Sequence, residues 1–371
     1  MTERVHDLAV IGAGPAGASA ALLAARHGHR VVLIDRETFP RTGAAAGWLN
    51  ARVSSLLKEM GIAERAVGGV PVAGVTFHSA DFTKSSRPAL EHAPVYLVDR
   101  VHFGNVLVEA VRKQGVSLVE GRTARDVRLL ESSVMVELDD GKAIEARLLL
   151  LATGPRREMF HRLGIAMPRG GTAFWTAQVG HDVSTSSRSP AHVHVVLGMD
   201  RGGSFGLICA SPRQVSITLH WLGAEELVHP KLMELCAAAH AQGLVSQNLA
   251  SQVRSVVVTR SPASVALDME SHVGKHTLLI GDAGGFVSAV SNEGLYPAIW
   301  SAKIAVGVIE QALAARHSQD ELMAFDTQWR MAMADYLRPP NTDPQFLLPL
   351  VFSNQAMSDR MAGAFFTGEN I

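Results

Sequence analysis

Gly12, Gly14 and Gly17, followed by an acid at Asp35, are the residues of this 371-residue chain whose spacing points most directly to chemistry. Gly12 permits a tight strand-to-helix turn, Gly14 lets the backbone approach a pyrophosphate, and Gly17 lets helix and strand pack closely. Pro15 and Ala16 open the helix, whose N-terminus offers N–H groups and partial positive charge to phosphate oxygens. Asp35 follows at about twenty residues, where a carboxylate accepts hydrogen bonds from a ribose. The expected ligand carries an ADP moiety. A second concentration, Gly281-Asp282-Ala283-Gly284-Gly285-Phe286 and then Glu293-Gly294-Leu295, sets an acid in a glycine turn ahead of a long helix.

These residues need elements to hold them. Apolar runs at 8–11, 31–34, 143–151 and 277–280 read as buried parallel strands, and 18–27 and 298–315 as helices. Residues 37–50, rich in Pro, Gly and Ala, read as a loop beside something flat, and 51–60 as a helix. Strands are expected at 72–77, 93–98 and 116–120, a helix at 105–113, and a hairpin over 124–138. Successive strands at 172–179, 192–199, 204–210 and 214–221 form an antiparallel sheet, after which 256–261 returns to the first domain. Residues 320–371 read as helical with breaks at Pro339-Pro340, Pro344 and Pro349. The fold class is α/β (α+β, two-domain). A Rossmann-like nucleotide domain takes 1–70, 99–170 and 260–335, a substrate domain takes 71–98 and 171–259, and 336–371 is a C-terminal helical segment.

Apolar residues make up 47%, charged residues 19%, and the net charge is −1, which argues against disorder and a nucleic-acid footprint. Cys209 and Cys236 give neither a disulfide framework nor a metal pattern and read as small buried hydrophobes. His192 and His194 share a strand face, but no third ligand is evident, so no metal is expected. No basic leader precedes the nucleotide unit, and no apolar run approaches the roughly 20 residues of a membrane span. The expectation is a cytoplasmic enzyme.

Phe39-Pro40-Arg41 and Gly47 resemble the F-P-R-x-K-x-C-G-G loop of flavoproteins related to geranylgeranyl reductases, flavin-dependent halogenases and p-hydroxybenzoate-hydroxylase-type monooxygenases. The family's cysteine falls at Ala45. Arg100, Phe103 and Leu107 are similar to a family helix whose arginine lies beside the cofactor. Residues 281–295 are similar to its G-D-A-x-G-F…G-E-G-I segment, where the aspartate bonds the ribityl chain and the next helix starts under the flavin with free N–H groups. Residues 152–164 match the spacing of the hydroxylases' A-D-G segment, with Thr153 for its aspartate and Phe160 for its arginine.

The resemblance implies FAD, held by Gly12, Gly14, Pro15, Ala16, Gly17, Asp35, Arg36, Arg41, Ala46, Gly47, Arg100, Thr153, Gly154, Asp282, Gly285, Gly294 and Leu295. It also implies a monooxygenase that hydroxylates or epoxidises a small apolar or aromatic substrate, free or bound to a carrier or protein, through O2 and a flavin C4a-hydroperoxide. Thr153 and Phe160 imply a separate flavin reductase. A reductase of an isoprenoid double bond and a flavoprotein modifying a side chain of a partner protein, of the tryptophylquinone-maturation type, are the alternatives. A halogenase ranks lower, since the W-x-W-x-I-P signature is absent. No catalytic residue is assigned; candidates for the pocket walls are Trp48, Trp175, His192, His194, His220 and Trp221.

Overall fold

The computed structural model describes residues 5–369 apart from 43–44, 90–93, 157, 167, 169–172, 183–189, 201–202, 213, 264, 340–341 and 343. Two sheets organise them. At the centre of the first, Thr277–Leu279, Ala143–Leu151, His6–Ile11, Val31–Asp35 and Ser117–Glu120 lie side by side in parallel. The hairpin Ala124–Leu129/Val134–Leu138 joins Ala143–Leu151 antiparallel. Alternate side chains of a strand point to opposite faces. Leu8, Val10, Leu33, Leu148 and Leu150 thus meet the helices Pro15–Arg26, Arg100–Lys113 and Leu295–Ala314. Ala9, Ile11, Ile34, Leu149 and Leu151 meet the hairpin and Phe160. Both faces are covered, so these strands read as unbroken apolar runs.

The second sheet runs in the order Val258–Ser261, Phe174–Asp182, Gln214–Trp221, Phe205–Ala210, Ala191–Leu197, Val70–Ser79, Val95–Asp99 and Ala46–Asn50. Most neighbours are antiparallel, but Ala191–Leu197 pairs in parallel with Val70–Ser79. One face carries Val75, Phe77, Val193, Phe205 and Leu207 against Val351, Phe365 and Phe366 of the helices Pro344–Ser353 and Gln355–Thr367. The other carries Ile208, Ile217 and Leu219 against the helix Val228–Ala241.

Four local expectations change. Residues 46–50 form a strand, because their backbone pairs with Val95–Asp99 in the register Trp48↔Leu97. Val258–Ser261 does not return to the first domain but forms the edge of the second sheet, pairing with Phe174–Asp182. The long helix starts at Leu295, since Pro297 in its first turn needs no N–H partner. Pro349 lies inside Pro344–Ser353 and does not end it. Among the described residues no helix is long and apolar enough to cross a membrane.

Candidate functional site

A cavity of about 720 Å³ opens at the C-terminal ends of the parallel strands, where open α/β sheets take ligands. Gly12, Gly14, Pro15, Ala16, Asp35, Arg36 and Arg41 line one end of it. The three glycines have different tasks. Gly12 has φ +102°, and a Cβ there would stand 2.2 Å from the Ala152 carbonyl oxygen; one on Gly17 would stand 1.8 Å from the Gly12 oxygen. Packing therefore demands both. A Cβ on Gly14 would meet nothing within 4 Å, so the backbone is bare there on the cavity side. The N–H groups of Gly14, Ala16 and Gly17 have no hydrogen-bond partner among the described residues. An anion at this helix start would satisfy them.

Asp35 lines the cavity, but its carboxylate also braces the turn. Oδ2 accepts from the Ala13 N–H at 2.6 Å and Oδ1 from the Glu37 N–H at 2.8 Å, while Arg41 donates to both at 3.2 Å. These four bonds fill the carboxylate's lone-pair sites, so a ribose hydroxyl would take the place of an Arg41 contact. Thr153 and Gly154 border the middle of the cavity, and the Thr153 hydroxyl donates to the Arg156 carbonyl at 2.9 Å. Phe160 is buried in the core beneath.

Arg100, Asp282, Gly294 and Leu295 line the far end. Burial pushes the Asp282 carboxyl above its usual range, against the pull of Arg100. The loop before Gly47 is slung between two elements. Asp99 accepts from the Ala45 N–H, and the Gln178 side chain both accepts from the Ala46 N–H and donates to the Ala46 carbonyl, each at 3.1 Å. Gly47 has no room for a Cβ, which would stand 2.5 Å from the Arg100 side chain. Gly285, at φ +73°, closes the turn after Asp282. Gly17, Ala46, Gly47 and Gly285 thus shape the site without lining this cavity.

The second sheet divides the pocket candidates by strand parity. His220 shares a face with Thr176, Gln178, Thr218 and Phe205, the face that holds Ala46 and Asn292. Trp175, Trp221, His192 and His194 are turned to the opposite face from His220. There His194 and His78 bond at 3.0 Å, and His192 meets Thr76 at 2.9 Å. Among the described residues no group of three or more His, Cys, Asp or Glu is arranged to hold a metal. Trp48 packs edge-on to Phe366 at 5.1 Å in the core under the C-terminal helices. Cys209 and Cys236 are buried, unpaired thiols.

His220 is 7% exposed, stacks on Phe205 at 4.5 Å, and is pushed by burial to a pKa of about 3. It is neutral at physiological pH. Its Nδ1 accepts from the Asn292 amide at 2.8 Å, which leaves the proton on Nε2. Asn292, at φ +51°, also bonds Thr176 and Ser261. Gln178, Thr176 and Ser261 were not singled out in the sequence. Two-residue spacing from His220 would have marked Thr218, but nothing local marks the others.

The expected free N–H groups at the start of the long helix are not free. The Glu293 carboxylate accepts from Leu295 and Tyr296 at 2.6 and 2.8 Å, and from the Tyr336 hydroxyl at 2.7 Å. A second cavity, of about 350 Å³, lies beyond Ala46 between Leu97, Val98, His102, Cys209 and Gln214.

A bare glycine turn with unpartnered N–H groups at one end and the acid Asp282 at the other fit an extended dinucleotide. The family described as "FAD binding domain" matches residues 5–323. The chain belongs to this family of FAD-dependent oxidoreductases, and FAD is its cofactor. It is 29% identical over 166 residues to a rifampicin monooxygenase of Streptomyces venezuelae, a match covering 44% of this chain and 35% of the relative. The chain thus matches about a third of that protein's length. Among solved structures it is similar to a geranylgeranyl bacteriochlorophyll reductase-like protein of Thermoplasma acidophilum, with TM-score 0.74, 16% identity, and coverage of 98% and 97% of the two chains. It is also similar to a peptidyl tryptophan dihydroxylase essential for tryptophylquinone cofactor biogenesis, with TM-score 0.66, 20% identity, and coverage of 90% and 73%.

Proposed function

We propose that the protein is an FAD-dependent monooxygenase that places one atom of O2 on a small apolar or aromatic substrate. The observation that carries this reading is an aromatic and polar cluster on the second sheet, whose His220 lies within the electrostatic reach of Arg100 at the far end of the cavity. His220, neutral and with its proton fixed on Nε2, sits among Phe205 and Phe174 with Thr176 and Asn292 as its partners. Binding sites favour such apolar walls with a few fixed polar groups, and a dry wall protects reactive flavin chemistry from water. When bound, FAD would supply the two electrons with which one atom of O2 enters the substrate and the other leaves as water. The protein's part is to orient the substrate against the sheet, with the His220 Nε2–H as a donor, and to exclude solvent.

The likeness to a rifampicin monooxygenase supports monooxygenation. The likeness to a peptidyl tryptophan dihydroxylase supports the variant in which the aromatic group belongs to a partner protein. The second reading, reduction of an isoprenoid double bond, is favoured by the likeness to the reductase-like structure along almost the full length of both chains. We further propose a separate flavin reductase as electron donor. Thr153 bonds within its own loop, and Phe160, at the position of the hydroxylases' arginine, is core. The test is turnover of a panel of aromatic and isoprenoid compounds by the reduced holoenzyme under 18O2. Product heavier by one 18O atom supports oxygenation. Full conversion without oxygen, with gain of two hydrogens, overturns it in favour of reduction.

A further inference from the structure

We propose that Glu293 cancels the positive N-terminus of the long helix Leu295–Ala314 and thereby holds reduced FAD in its uncharged form. The proposal rests on the FAD assignment, not on the choice between oxygenation and reduction.

Position comes first. The ADP half of the cofactor belongs at the Gly14 turn and Asp35, so the flavin half must extend to the other end of the cavity, at Asp282, Gly294 and Leu295. Gly294 is the covalent neighbour of Glu293. A helix start at this place would present roughly half a positive charge and unpartnered N–H groups to the ring. Here only the N–H of the N-cap Gly294 has no partner among the described residues. Leu295 and Tyr296 donate to Glu293, Pro297 has no N–H, and Ala298 donates to the Gly294 carbonyl at 2.9 Å.

Charge decides the rest. Glu293 is 6% exposed, and each of its carboxylate oxygens only accepts hydrogen bonds from its partners. The groups acting on it are Tyr336 on one side, Arg100 across the cavity end shared with Asp282, and Arg52, which lies over the rings of Tyr296 and Tyr336. Burial pushes the Glu293 carboxyl above its usual range, and the hydrogen bonds from Tyr336, Tyr296 and Leu295 pull against that rise. Ionised at pH 7.5 and above, it carries a full negative charge that outweighs the half charge of the helix. A flavin that gains two electrons and one proton is an anion; one that gains two electrons and two protons is neutral. Beside Glu293 the second proton, taken from solvent, is favoured.

The test is potentiometric titration of the FAD holoenzyme with a chemical reductant between pH 7.5 and 9. Each proton taken up with two electrons moves the midpoint potential by about 30 mV per pH unit. The expected wild-type slope is the two-proton one. Glu293→Gln keeps an acceptor for Leu295 and Tyr296 but removes the charge. It should halve the slope and favour the reduced form at least tenfold, a rise of about 30 mV. A one-proton slope in the wild-type protein overturns the proposal without any variant, as does a Glu293→Gln holoenzyme with unchanged slope and potential. Failure of the protein to bind FAD would instead strike the cofactor assignment.

Discussion

Replacing Gly14 by valine should remove FAD and leave the fold standing. Gly14 has φ −70° and ψ −178°, which any L-residue adopts, and its added Cβ meets no protein atom within 4 Å. The apoprotein should therefore lie within about 1 kcal/mol of wild type, since removing glycine also lowers the entropy of the unfolded chain. The branched side chain enters the space that a pyrophosphate needs to reach the N–H groups of Gly14, Ala16 and Gly17. Hydrogen bonds to a charged group contribute about 1.5–3 kcal/mol each. Losing two of them costs roughly 3–6 kcal/mol, or about 10²–10⁴ in Kd. Quenching of flavin fluorescence on titration into apoprotein measures the affinity, and thermal unfolding without FAD measures the fold. Equal FAD affinity in the two proteins would refute the assignment of this turn to the pyrophosphate. A collapse of the apoprotein would refute the claim that Gly14 serves the ligand alone.

Gly17→Ala should do the opposite, because its Cβ overlaps the Gly12 carbonyl. We expect about 1–3 kcal/mol or more of lost stability in the apoprotein by denaturant unfolding. Asp282→Ala should weaken FAD binding while raising the melting temperature of the apoprotein, since burial disfavours its charged carboxylate. On the second sheet, His220→Ala should lower turnover with FAD content retained, whereas His192→Ala and His194→Ala, on the outer face, should leave turnover unchanged. Stability should fall on acidification between about pH 6.5 and 3. His220 drops from 6.5 to about 3 in the fold, so the unfolded chain takes up a proton that the folded one refuses. The loss is up to about 1.4 kcal/mol per pH unit, and His220→Phe should flatten this part of the pH–stability curve.

The turn at Gly12–Gly17, the acid at Asp35 and the turn at Asp282 were legible in the sequence because their requirements are local. A positive φ, a backbone bare of Cβ and a strand ending at a helix all fall within a few neighbouring residues. The parallel strands were legible too, since burial on both faces leaves an unbroken apolar run. The orientation of the second sheet was not. Its strands are buried on both sides, so Trp221 and His220, next to each other and both buried, carried no polar contrast to say which meets the cofactor. Only the pairing of Thr176 with His220 and the bond to Asn292, 72 residues away, show that the two take opposite faces of the sheet. Likewise Gln178 reaches Ala46 across 132 positions, and Glu293 meets Tyr336 across 43. A side chain that folds back on its own helix start and takes a phenol from another helix leaves no periodicity to read. Sequence thus determined the glycine turns and acids that fit a dinucleotide, and tertiary structure decided which distant side chains meet around them.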